Sequence, residues 1–402
     1  MQSDAWLERA AAIRPDRIAL ETPAVRWTYA ELLERARAAD PGARGERVVL
    51  AMPPGAELAV ALHACLLRGA VAVPVDSRGS ARERAAIIAS ATASASPGDD
   101  DGDAAMVVHT SGTTGAPRPV TLTRANVLAQ ALGSAAALGV DPRERWLCPL
   151  PLSHVGGLMV LLRSVIYATT AVLRPLEGGD LHGATLASLV PTQLSRALDA
   201  GLERPSGLRA VLLGGAGAPR ALLARAAAAG VPVAQTYGLT QACSSVTVSE
   251  PGDLESQGVP IPGVRVGLAD DGEILVSGPT VAGGGVLETG DLGAFDERGR
   301  LRVVGRKADT IVTGGENVAP AEVEDALLEH PAVADAAVFG RPDEQWGEAV
   351  SAQVVLRSPV EPETLRAFAR GRLAGYKVPK SIEAVAELPR TGSGKLRRRS
   401  LG

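Results

Sequence analysis

The chain has 402 residues, 46% of them hydrophobic and 21% charged, so it can bury a large core and is expected to divide into two or more domains. A net charge of -4 without a sustained basic stripe argues against a nucleic-acid partner, and Arg397-Arg398-Arg399 at the end reads as a solvated tail. No apolar run reaches the roughly 18 residues of a bilayer span, no signal peptide opens at Met1-Gln2-Ser3-Asp4, and Cys65, Cys148 and Cys243 show no C-x-x-C spacing. A cytoplasmic protein without disulfides or a zinc site is the expectation.

In the first hundred residues, helical patterns alternate with short apolar runs. Thr28 is placed to cap a helix over the following residues. Val48 to Met52 reads as a buried strand, Glu57 to Arg68 as an amphipathic helix stopped by Gly69, and Val71 to Val75 as the next strand. Such alternation predicts a mostly parallel sheet covered by helices. His63 shares a helix face with Leu58 and Leu62 and reads as a structural histidine, and Ser90 to Asp103 reads as a mobile linker.

The apolar run Ala104 to Val108 then leads into His109-Thr110-Ser111-Gly112-Thr113-Thr114-Gly115-Ala116-Pro117-Arg118. Glycines and hydroxyl residues at a strand end bring backbone N–H and O–H donors together without bulk, which suits a polyphosphate. The spacing of a Walker loop, G-x-x-x-x-G-K-[ST], is absent. The segment resembles the T-S-G-T-T-G-x-P-K-G phosphate loop of the adenylate-forming superfamily, which includes acyl-CoA synthetases, peptide-synthetase adenylation domains and luciferases. Arg118 stands where that family has Lys; the charge is kept and a compact ammonium becomes a planar fork.

The resemblance extends along nearly the whole chain. Trp27-Thr28-Tyr29-Ala30-Glu31-Leu32 is similar to the family's early W-T-Y-x-E-L segment. Thr123 can cap a helix through Leu138, and Trp146 to Pro151 reads as a strand. Next comes His154 with Gly156 and Gly157, opening an apolar helix where the glycines leave room for a ligand. By resemblance this segment lines the acyl pocket, while His154 can equally be a hydrogen-bonded core residue. Arg163 is the only charge between Val155 and Thr170. It must snorkel to solvent, pair with a carboxylate, or meet an anionic ligand, and a second carboxylate on the acyl substrate would suit its fork.

Two further segments, Ser188 to Leu194 and Leu212 to Gly217, read as strand ends leading into helices, and glycines at such ends are a usual place for ligands in open α/β sheets. The resemblance implies that Gly214, Gly215 and Ala216 belong to an adenine-binding loop. It further implies that Tyr237, followed by Gly238, stacks on adenine and that the Thr240 hydroxyl meets phosphate. Gln241 occupies the place of a glutamate that helps hold magnesium in the family, and a neutral amide is a weaker partner for a hard cation. Hairpin turns at Asp270-Asp271-Gly272 and Glu297-Arg298-Gly299 predict a small antiparallel subdomain. Within it, Asp291 of Thr289-Gly290-Asp291 is implied to accept the ribose hydroxyls, and Arg306 to reach ribose or phosphate. Ala308 falls at the family's hinge.

The expected architecture is therefore α/β. A large N-terminal domain, residues 1–305, combines helix-covered, mostly parallel sheets with the β-subdomain, and a small mobile α+β domain, residues 306–402, follows. That domain ends in Pro389-Arg390-Thr391-Gly392-Ser393-Gly394-Lys395, similar to the family's P-x-T-x-x-G-K. In a chain whose only lysines are Lys307, Lys377, Lys380 and Lys395, the last sits at the family's catalytic spacing.

The implied reaction joins a carboxylic acid to coenzyme A at the expense of ATP and with Mg2+, through an acyl-adenylate, with Lys395, Thr240 and His154 as catalytic candidates. The blocks around His154, Arg163, Val190 and Gly314 most resemble ligases acting on 2-succinylbenzoate, a keto-diacid of menaquinone biosynthesis. A ligase for another aryl or medium-chain fatty acid, and a catalytically silent nucleotide-binding scaffold, are the alternatives. A homodimer is a possible assembly.

Overall fold

A computed structural model describes residues 6–93, 103–110, 118–390 and 396–401. Its largest sheet has nine strands among the described residues. Across it run Val259–Pro260, Ser244–Val248, Val233–Leu239, Ala210–Leu213, Leu186–Leu189, Arg145–Leu147, Thr170–Val172, Ile18–Glu21 and Arg26–Thr28. The six inner neighbours from Val233–Leu239 to Ile18–Glu21 are parallel, and antiparallel strands close both edges. Inner strands such as Leu186–Leu189 and Ala210–Leu213 are buried along their whole length, which is why Ala210–Leu213 reads as an unbroken apolar run rather than an alternating one.

A second sheet places Arg47–Leu50, Val71–Pro74 and Ala104–Thr110 in parallel and adds Arg118–Thr123 antiparallel. Between its strands lies the helix Ala56–Arg68, ended by Gly69 in the left-handed region at φ 75°. Thr28 and Thr123 each form a capping box, with Glu31 and Asn126 respectively, so both predicted helix starts hold. Several predicted boundaries change, among them the strand expected over Val48 to Met52, which runs Arg47–Leu50 and is mostly half-buried. Ser90 to Ala93 belongs to the helix Ala81–Ala93, where Ser90 Oγ lies 2.8 Å from His109 Nε2; the rest of that predicted linker, apart from Asp103, falls outside the described residues. The strand begun at Arg145 stops at Leu147, because Pro149 and Pro151 cannot donate to a ladder.

The hairpins predicted from Gly272 and Gly299 form a four-stranded antiparallel sheet of Arg265–Leu268, Glu273–Ser277, Val286–Phe295 and Leu301–Arg306. Several polar ties fix it to the large sheets. Asn126 Nδ2 donates to the Pro279 carbonyl at 2.7 Å, and the Ala282 N–H to the Gln241 carbonyl at 2.7 Å. The C-terminal part folds helix, strand, strand, helix, strand: Pro320–Leu328, Val333–Asp343, Gly347–Leu356, Pro362–Arg370 and Ser381–Ala384. Its core, built on Val323, Leu327, Val338, Val350, Val354 and Leu365, is separate from the cores of the large sheets. No described helix is long and apolar enough to cross a membrane.

Candidate functional site

Two of the predicted nucleotide motifs, Gly214 to Ala216 and Tyr237-Gly238, lie at the carboxyl ends of parallel strands. Strand Ala210–Leu213 delivers Gly214, whose amide donates to the Leu189 carbonyl at 3.1 Å. A Cβ on Gly214 would stand 2.8 Å from Thr236 Cγ2, so only glycine lets these neighbouring strands close at this point. Gly215 and Ala216 follow as an exposed turn, Gly215 at φ 81°. The next strand, Val233–Leu239, carries Tyr237 and Gly238 and passes into a one-turn helix, Thr240–Ala242, packed against both strands of the hairpin Ala104–Thr110 and Arg118–Thr123. Thr110 and Arg118 face each other at the end of that hairpin where residues 111–117 connect its two strands. Ser111, Gly112, Thr113, Thr114 and Gly115 between them, and Lys395, lie outside the described residues.

Three motifs distant in sequence meet at one carboxylate. Tyr237 donates its hydroxyl to Asp291 Oδ2 at 2.8 Å, and Arg306 Nε lies 2.7 Å from Asp291 Oδ1. Asp291 is 6% exposed and its charge is compensated by Arg306 on the adjacent strand. Burial, and then the neighbouring Asp291 carboxylate, raise the Tyr237 pKa, so the phenol remains a donor. Behind Asp291, Glu273 accepts the Gly290 N–H at 2.8 Å and the Lys307 ammonium at 3.0 Å. Lys307 also pairs with Asp271, so the segment before Ala308 is held to the β-subdomain.

The acyl side of the site departs from two expectations. His154 is the N-cap of Val155–Tyr167 and is half-buried. The neighbouring Asp76 carboxyl is held below its ordinary range, chiefly by Arg78 and to a lesser degree by His154. Gly157 does not leave room for a ligand: a Cβ there would stand 2.5 Å from the Pro151 carbonyl oxygen, so the glycine serves close packing of helix on turn. Gly156 has only Leu150 Cδ1 near its Cβ position, at 3.5 Å.

Arg163 does not snorkel. It is 2% exposed, its Nε donates to Gln130 Oε1 at 2.9 Å, its guanidinium reaches Ser244 Oγ at 3.4 Å, and its carbon lies 5.3 Å from the Trp146 ring centre. Among the described residues no carboxylate pairs with it, and burial lowers its pKa. Gln130 is fully buried and its Nε2 meets no acceptor among the described residues. Ser244 begins the strand after the Thr240–Ala242 turn and adopts φ 100°, directly after Cys243 at φ 55°. The reversal therefore holds two consecutive non-glycine residues at positive φ, a strained backbone. Gln130, Trp146 and Ser244 are not legible from the sequence as partners of Arg163, since each reads locally as ordinary helix or strand.

For a metal the donor set is poor. Among the described residues no group of three His, Cys, Asp or Glu side chains converges, and Gln241 offers an amide where a carboxylate would bind a hard cation more firmly.

The AMP-binding enzyme model matches residues 7–96 and 94–284, and the AMP-binding enzyme C-terminal domain model matches residues 322–395. The chain belongs to the AMP-binding enzyme family. Among AMP-binding enzymes it is 36% identical to 2-succinylbenzoate--CoA ligase of Bacillus velezensis, over 98% of this chain and 97% of that one. It is 34% identical to the Bacillus subtilis ligase, with the same coverage. The solved o-succinylbenzoate CoA synthetase of Bacillus subtilis in complex with its acyl-adenylate intermediate superposes with a TM-score of 0.90, at 34% identity and over 98% and 97% of the two chains. The same synthetase in complex with ATP and magnesium ion gives 0.90.

Proposed function

We propose that this AMP-binding enzyme is an ATP-dependent acid:CoA ligase that converts 2-succinylbenzoate to its CoA thioester. The observation that carries the reading is the near-full-length likeness to ligases named for that acid, in a chain that buries an arginine beside the expected acyl pocket.

A carboxylate is a poor acyl donor because its leaving group would be oxide. Attack of its oxygen on the α-phosphorus of ATP expels pyrophosphate, and the mixed anhydride then loses AMP to the thiolate of coenzyme A. Negative charge builds on the transferring group in the first step, so positioning and electrostatic neutralisation outweigh acid or base catalysis. Asp291 and Arg306 hold the ribose, the Gly214 to Ala216 turn and Tyr237 hold the adenine, and Thr110, Thr240, Arg118 and the Ser111 to Gly115 hydroxyls and amides hold the phosphates. Lys395 neutralises the α-phosphate. Magnesium arrives with the phosphates of ATP, whose oxygens supply the hard donors that Gln241 does not. His154 and Gly156 border the acyl group, and Arg163 with Gln130 and Ser244 receives the second carboxylate of the diacid. Residues 306–402 act as the domain that swings at Ala308 to admit coenzyme A.

The test is AMP release with a panel of carboxylic acids. The reading expects CoA-dependent AMP release with 2-succinylbenzoate, pyrophosphate exchange abolished by Lys395→Ala, and far weaker turnover of simple aryl and medium-chain monocarboxylates. Equal turnover of the monocarboxylates transfers the assignment to a general acyl ligase, and no exchange with any acid leaves a silent scaffold.

A further inference from the structure

Arg398, the middle residue of the three consecutive arginines, does not behave as part of a solvated tail. Arg398 is largely covered, with 21% of its side chain exposed, and its guanidinium joins three separate pieces of the C-terminal part. Nε lies 3.3 Å from Asp309 Oδ2. One terminal nitrogen pairs with Glu324 Oε1 and donates to the Val338 carbonyl at 2.9 Å, and the other donates to Glu324 Oε2 at 2.9 Å. Glu324, 14% exposed, accepts the Val338 N–H at 2.8 Å with the same Oε1. One bidentate ion pair thus ties the chain end to the helix Pro320–Leu328, to the strand Val333–Asp343 and to the residue immediately after Ala308.

The segment that Arg398 anchors is also pinched just upstream. Arg390 and Leu396 form an isolated antiparallel bridge, the Arg397 N–H donates to the Pro389 carbonyl at 2.8 Å, and Arg390 pairs with Asp335 Oδ2 at 2.6 Å. On the far side of Ala308, Lys307 is held by Asp271 and Glu273 of the β-subdomain. Ala308 therefore stands between an ionic tie to the N-terminal part and an ionic tie to the chain end.

We infer that Arg398 is a positioning residue for adenylation, fixing the segment three residues downstream of Lys395 in the chain to Asp309 and Glu324, so that this segment and the region after Ala308 turn as one body. The inference rests on the proposed role of Lys395. Arg398 touches no substrate; it acts through the placement of its neighbours, and displacement by about 1 Å is enough to cost about a hundredfold in an oriented transfer. Because Lys395 is used in the first half-reaction and withdrawn in the second, the loss should be one-sided.

The experiment measures both half-reactions on the full-length enzyme: pyrophosphate exchange for adenylation, and thioester formation from purified acyl-adenylate and coenzyme A. Arg398→Met should slow adenylation by about 10- to 100-fold while thioester formation stays within about twofold of wild type. Arg398→Lys, which keeps the charge and loses the fork, should recover part of the rate. Glu324→Gln should reproduce the one-sided loss in weaker form. Circular dichroism melts of each variant separate these effects from unfolding. Adenylation unchanged in Arg398→Met while Lys395→Ala abolishes it overturns the inference, as does an equal fall in both half-reactions. Adenylation surviving Lys395→Ala instead overturns the reading on which the inference rests.

Discussion

Tyr237 and Asp291, 54 residues apart, are joined by a hydrogen bond of 2.8 Å from phenol to buried carboxylate. The bond ties the end of a central parallel strand to the β-subdomain, across the place where the nucleotide motifs gather. Tyr237→Phe leaves Asp291 Oδ2 short of a donor, which costs about 1–3 kcal/mol for a buried acceptor. Chemical denaturation should show that loss. Asp291→Asn should weaken ATP binding by at least about tenfold in titration calorimetry, since an amide cannot accept two hydroxyl donors as a carboxylate does. Unchanged affinity in the Asn variant removes the ribose from this position.

Arg163 gives a prediction confined to the acid. Arg163→Ala should raise the KM for 2-succinylbenzoate about 10- to 100-fold, the worth of one charge-assisted pair, and leave the dissociation constant for ATP unchanged. Arg163→Lys should not rescue it fully, because an ammonium cannot keep Gln130 and Ser244 in one fork while meeting a carboxylate. An unaltered KM in the alanine variant would return Arg163 to a purely structural role.

Gln241, like Arg118, is a departure from the family pattern that the chain resembles. Gln241→Glu adds a hard, charged donor, and the Mg2+ concentration that gives half-maximal ATP binding should fall by about tenfold. Calorimetry of ATP binding across a magnesium series reads this without turnover. A flat response to the substitution means that the residue at 241 does not face the metal.

His63 provides a pH dependence whose sign is fixed. Burial lowers its pKa from the usual 6.5 to about 4. Between those values the unfolded chain binds a proton that the folded chain refuses, so stability falls as pH drops from about 6.5 to about 4 and the loss levels off below. The full effect is about 3 kcal/mol at 1.36 kcal/mol per pH unit. His63→Leu should flatten denaturation free energy over that window; a slope identical to wild type would assign the pH dependence to other groups.

Gly157→Ala tests packing rather than chemistry. The added methyl would meet the Pro151 carbonyl at 2.5 Å, and backbone gives way less readily than a side-chain tip. A loss of about 1–3 kcal/mol is expected, with the ATP affinity retained.

What was legible in the sequence is what local chemistry dictates. Thr28 and Thr123 announced their helices through capping residues, Gly69 its helix end, and Gly272 and Gly299 their hairpins. The ordered motifs single out Tyr237, Asp291 and Arg306 as nucleotide-site candidates, and the fold brings all three together. Arg163 was noticed as an isolated charge, yet its partners stand 33 and 81 residues away and leave no periodic trace near it. Arg398 was misread because three adjacent arginines look like a tail, and Glu324, 74 residues earlier, is invisible from there. Gly156 and Gly157 look alike in sequence; only the approach of Pro151 distinguishes them. Polar contacts between distant segments are set by the packing of whole elements, so a short window cannot contain them.

On the proposed acid-binding role of Arg163, the reversal at Cys243 and Ser244 sets durability against discrimination at a single codon. Glycine at 244 would relax a backbone at φ 100° and make the fold hardier, but it would strip the hydroxyl that Arg163 leans on. A laboratory selection for heat resistance alone should drift toward glycine there and yield an enzyme less choosy about its acid.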